Sequence, residues 1–129
     1  MSFFSPEKAS ALIPVLAPLI DEMWQRRREL AIKLLEQDPA LRKAGGRAGA
    51  STAERRGESR RCTELKAEVV RIINRIEAYG CLVKDIDLGL LDFPSLRDGR
   101  SVFLCWKSGE ASVTHWHATD ESFINRRTL

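Results

Sequence analysis

At 129 residues and 14.6 kDa the chain has the length of one domain, enough to bury about two thirds of its unfolded surface around a single core. Hydrophobic residues at 43% beside 30% charged residues match a soluble globular protein, and no apolar run approaches the ~20 residues of a membrane span. The net charge of +3 is unevenly placed: residues 42–61 hold seven basic residues against two acidic ones, so the remainder of the chain is slightly acidic.

The first residues, Met1-Ser2-Phe3-Phe4, lack a positive segment followed by an apolar stretch, and the expectation is a cytoplasmic protein. Cys62, Cys81 and Cys105, odd in number and far apart, fit reduced thiols in such a compartment. Ser5-Pro6-Glu7 reads as a helix start, with Ser5 as cap, Pro6 in the first turn and Glu7 facing the positive end of the dipole. Leu12, Leu16, Leu19, Met23, Leu30 and Leu34 then recur at helical spacing, so residues 1–37 form a helical segment. Pro14 and Pro18 inside it predict a kink or break near residue 14.

Residues 38–58 are expected to form a flexible basic loop, because the stretch around Arg42, Lys43, Arg47, Arg55 and Arg56 offers little apolar surface to offset its ordering entropy. A second helix follows over 59–79, with Leu65, Val69, Ile72, Ile76 and Tyr79 as its stripe and Gly80 at its end. The two helices suggest a long antiparallel hairpin with coiled-coil-like packing. Residues 80–129 hold short β-rich runs at 81–87, 90–93, 101–106 and 111–117, a meander of three or four strands and a tail. Reading Arg97-Asp98-Gly99 and Lys107-Ser108-Gly109 as three-residue turns pairs Leu96 with Arg100 and Trp106 with Glu110. Leu91, Phe93, Phe103, Cys105, His115 and His117 then share one face, and Asp92, Val102, Leu104, Trp106 and Trp116 the other. Both faces carry large apolar side chains, so both need cover. The fold class is α+β in a single domain.

The run Gly80-x-x-Val83-Lys84-Asp85-x-x-x-Gly89-Leu90-x-Asp92-Phe93-Pro94, then Asp98-Gly99-Arg100-x-Val102-x-Leu104-Cys105-Trp106, then Gly109-Glu110 and Trp116-His117, resembles a bacterial family of small proteins known as domain of unknown function 2203. The opening Phe4-Ser5-Pro6-Glu7-Lys8-Ala9 looks like that family's start, and His115 and Ser122 depart from its pattern. The resemblance implies no particular activity.

The densest chemistry lies in Asp85, Asp87, Asp92, Cys105, Glu110, His115 and His117. Asp92, Cys105, His115 and His117 are the candidate metal ligands, zinc being the ion that such nitrogen, sulfur and oxygen donors suit. No Cys-x-x-Cys or His-Glu-x-x-His spacing supports them, and the bland alternative is a core cysteine with strand-end histidines. Cysteine nucleophilic catalysis would require Cys105 exposed and its pKa lowered, whereas Leu104 and Trp106 beside it suggest burial. Asp92, set between apolar neighbours, needs a partner if buried; Arg100, Lys84 or a backbone turn are the options.

Leu104, Trp106 and Trp116 are either an interface patch or core beneath the first helix. Arg42, Lys43, Arg47, Arg55, Arg56, Arg60 and Arg61 offer sequence-independent attraction to phosphate but lack interleaved aromatics for base stacking. The leading expectation is a non-catalytic interaction or scaffold module that forms homo-oligomers, with a protein partner in view. The alternatives are a small metal-binding protein or enzyme built on the Asp/Cys/His set, and nucleic-acid association through the basic loop. No cofactor other than such a metal is called for.

Overall fold

The computed structural model describes residues 3–38 and 52–129. The protein is α+β: helix α1 (Pro6–Glu36) and helix α2 (Thr52–Glu77) precede the strands β1 (Leu82–Asp85), β2 (Leu90–Arg97), β3 (Arg100–Lys107), β4 (His115–Ala118) and β5 (Arg127–Thr128). The strands form one antiparallel sheet of five in the order β1-β2-β3-β4-β5, where three or four were expected. Among the described residues no helix is long and apolar enough to cross a membrane. The chain divides into two compact units, one comprising the residues up to Ile20 with Ile73–Leu129, the other Asp21–Ile72.

In the first unit, Ser5 Oγ accepts the Lys8 amide at 3.1 Å and caps α1 as the sequence suggests. The break anticipated near residue 14 is absent, and α1 runs through both prolines. Pro14 and Pro18 are exposed, and at a spacing of four they lie on the same solvent side, where water can take the carbonyls they leave unpaired. The buried residues here are Ala9, Ile13, Leu16, Leu19 and Ile20; Leu16 and Leu19 of the expected stripe are among them, whereas Leu12 is only half-buried.

This end of α1 is fastened to one face of the sheet. Phe4 packs edge-on against Phe93 with ring centroids 5.2 Å apart, the Phe4 amide donates to the Pro94 carbonyl at 2.7 Å, and Ser10 Oγ accepts the Val113 amide at 3.0 Å. Leu91, Phe93, Val102, Leu104 and Trp106 are buried on that face. Gly80 ends the second helical segment with a φ of +104°, and a Cβ there would sit 3.2 Å from the Phe4 ring. Both conditions call for glycine.

The second unit is an antiparallel helix pair, since Arg26 meets Glu68 (3.0 Å) while Arg61 meets Glu29 through two contacts of 3.1 Å. Met23, Cys62, Leu65, Val69 and Ile72 are its buried residues. Beyond Met23 the expected leucine stripe gives way to these ion pairs: Leu30 is half-buried and Leu34 is exposed. The second helix begins at Thr52, seven residues before the expected position 59. Ala53, Glu54, Arg55 and Arg56 are residue types that favour helix. Arg42, Lys43 and Arg47 of the basic loop lie outside the described residues.

Register is where the sheet departs most from expectation. Arg97 pairs with Arg100, so the β2–β3 turn is the two-residue Asp98-Gly99, with φ of +52° and +76°. Positive φ at both positions is the turn whose twist suits a hairpin, and Asp-Gly is a preferred sequence for it. The one-residue change from the expected Leu96–Arg100 pairing moves every β2 side chain to the opposite face. Asp92 therefore joins Cys105, and Leu91 and Phe93 join Trp106.

The next connection is looser than the expected tight hairpin. A turn closes from Lys107 to Glu110, residues 111–114 leave the sheet, and β4 begins only at His115, pairing Cys105 with His115 and Phe103 with His117. Trp106 does not pair with Glu110 as a strand residue; its Nε1 donates to the Glu110 carbonyl at 2.9 Å. The displacement along β3 is four residues, an even number, so His115 and His117 keep the face assigned to them.

Candidate metal centre

Asp92, Cys105 and His117 come from three adjacent strands and are all buried, at 1% exposure each. One ligand atom from each lies within 4.8 Å of the other two. Asp92 on β2 pairs with Cys105 on β3, and His117 reaches from β4 over β3 to place Nε2 3.1 and 3.2 Å from the two carboxylate oxygens. The partner of Asp92 is thus His117 rather than Arg100, which is exposed beside the Asp98-Gly99 turn; Lys84 acts on the carboxylate through its charge.

The imidazole is oriented from behind. Its Nδ1 is 2.8 Å from the Ala118 carbonyl oxygen, which only accepts, so Nδ1 carries a hydrogen and Nε2 is the nitrogen turned to Asp92. Histidines that bind metals are commonly held this way, with the remote N–H tied to a carbonyl. With Nδ1 protonated, a single proton lies between Nε2 and the carboxylate.

Burial pushes the Asp92 carboxyl above its ordinary range, against the opposing pull of His117 and Lys84. Burial, aided by the Asp92 charge, pushes the Cys105 thiol up to about 11, although the Arg126 guanidinium beside it acts the other way. A buried thiol that holds its proton this firmly is a poor nucleophile, which argues against cysteine catalysis. A cation between the three groups would reverse this balance by replacing their protons.

The C-terminal segment closes over this face. Arg126 makes a two-pronged ion pair with Glu110 at 3.0 and 2.9 Å and stacks 4.2 Å from the Phe123 ring centroid. Glu110 Oε1 also accepts the Lys107 amide at 2.7 Å, which ties the segment to the end of β3. Phe123 and Ile124 form one wall of a cleft of about 270 Å³ into which Asp92 and His117 face. The sheet face that carries Asp92 and His117 is in this way partly covered by residues 122–126. Sequence reasoning singled out Glu110 but missed Arg126 and Phe123, whose positions follow from long-range contacts with no local signature.

The other candidates fall elsewhere. His115 is half-buried on the same face, with its Nδ1 2.8 Å from Thr114 Oγ1, and it is not among the three converging groups. Leu104 and Trp106 are buried in this chain's own core, and Trp116 is half-buried between the guanidinium groups of Arg97 and Arg127, 4.8 and 4.9 Å from its ring centroid. Arg55, Arg56, Arg60 and Arg61 lie on α2, where Arg61 is engaged by Glu29, Glu64 and Glu68.

A family model described as an uncharacterised conserved protein, DUF2203, matches residues 2–129. The chain belongs to that family. The match extends over nearly the whole chain the likeness read mainly from residues 80–117. No curated protein and no solved structure matches the chain significantly.

Proposed function

We propose that this DUF2203 member is a small metal-binding protein in which Asp92, Cys105 and His117 hold a divalent ion, zinc being the best match to one oxygen, one sulfur and one nitrogen donor. The convergence of the three donors in a buried place, with His117 Nδ1 already committed to Ala118, carries the reading. A tetrahedral site with bonds of about 2.0–2.2 Å sets its nitrogen and oxygen ligands roughly 3.4 Å apart, close to the 3.1 Å between His117 and Asp92. The cleft supplies the entry path that a buried site needs.

The test is elemental analysis of protein prepared without a histidine tag, beside variants Cys105→Ser and His117→Gln. About one zinc per chain, lost in both variants, is expected. A wild-type protein that neither carries zinc nor takes up zinc or cobalt(II) on reconstitution would sink the reading.

Self-association is a second reading. It is supported by Ile32 and Leu35, three residues apart on α1 and 50% and 57% exposed, a pair that another copy of the chain could cover. Light scattering at micromolar concentration decides it: a monomer mass of 14.6 kDa alone would count against it.

A further inference from the structure

We infer that the cleft beside Asp92 and His117 binds a small monocarboxylate with a compact apolar body, its carboxylate set between Lys84 and the open coordination position of the metal; this rests on the metal-binding reading. Three protein ligands leave a fourth position in a tetrahedral site, the arrangement by which metal centres accept exogenous ligands. Asp92 and His117 line the cleft and Cys105 does not, so the open position is turned to the cleft.

Charge selects the ligand. A divalent ion bound by a carboxylate, a thiolate and a neutral imidazole is formally uncharged and does not repel an anion. Lys84 is the cation on the wall; its ammonium lies 5.9 Å from the Phe103 ring centroid. Asp85, the remaining charged residue there, directs Oδ1 to the Leu88 amide at 2.9 Å, within its own turn. One available cation suits a single negative charge and not the dianion of a phosphate monoester.

Shape selects the rest. Leu88, Leu90, Phe123 and Ile124 make most of the wall apolar, and Leu88 and Ile124, at 46% and 89% exposure, are left uncovered by the chain itself. An apolar group lying against them would remove that surface from water. A volume of about 270 Å³ admits one six-membered ring with its carboxylate and is too small for a nucleotide.

The experiment uses benzoate as the probe and the full chain loaded with cobalt(II), whose visible bands report coordination. Benzoate should change those bands saturably, and uncharged benzamide should not. Lys84→Met should keep the cobalt spectrum but bind benzoate about tenfold more weakly, the equivalent of about 1.4 kcal/mol. Cobalt bands that benzoate leaves unchanged, or equal benzoate affinity in Lys84→Met, would overturn the inference and leave metal binding standing. A chain that takes up no cobalt would overturn both.

Discussion

His117 and Asp92 are hydrogen-bonded at 3.1 Å although their strands are not neighbours, and β3 runs between them. Strands two places apart are separated by roughly 9.5 Å, so both side chains must lean across β3 and meet above it. Cys105 belongs to that intervening strand, which is why the pair and the thiol form one cluster.

The first prediction concerns that pair without metal. In chelator-treated protein, Asp92→Ala leaves His117 Nε2 without a partner in a site at 1% exposure, and a loss of about 1–3 kcal/mol is expected. Asp92→Asn should cost less, because its amide can still donate to Nε2. A double-mutant cycle of Asp92→Ala with His117→Ala, read from urea midpoints at equal slopes, should return a coupling of about 0.5–3 kcal/mol. Strict additivity would mean that the contact contributes nothing.

The second is proton release. Metal binding displaces the proton shared by His117 and Asp92 and the proton of Cys105, whose thiol otherwise holds it to about pH 11. Titration calorimetry at pH 7.5 in buffers of different ionisation enthalpy should report about two protons released per metal, and apparent affinity should rise with pH. Binding that is independent of buffer and pH would exclude these groups as ligands.

The third concerns the segment that covers the site. Burial tends to raise the Glu110 carboxyl, but the Arg126 ion pair and the Lys107 amide outweigh it and hold the group below its usual range. A lowered folded-state value means that the unfolded chain takes up the proton first as pH falls. The contribution is therefore complete at neutral pH and is lost below about pH 4.5, through the folded-state value. Arg126→Met should flatten that acid dependence in urea melts and speed modification of the Cys105 thiol by a disulfide reagent. Unchanged thiol reactivity would show that Arg126 does not shield Cys105.

Local rules made much of the fold legible from sequence. Ser5-Pro6-Glu7 marked the start of α1, Gly80 the end of the second helical segment, and alternation the strands, because capping, φ preference and side-chain period are properties of a few consecutive residues. The three converging residues were likewise recognisable by type, since a carboxylate, a thiol and an imidazole stood out among apolar neighbours. Their meeting was not. It depended on whether the β2–β3 hairpin turned in two residues or three: Asp98-Gly99 chose two, and that one-residue difference carried Asp92 from the Trp106 face to the Cys105 face. The closure of Phe123 and Arg126 over the sheet was also decided beyond the local pattern. Register and long-range ion pairs such as Glu110–Arg126 relate distant segments to one another, and the preferences of neighbouring residues do not determine such relations, so only the tertiary structure could bring the donors together.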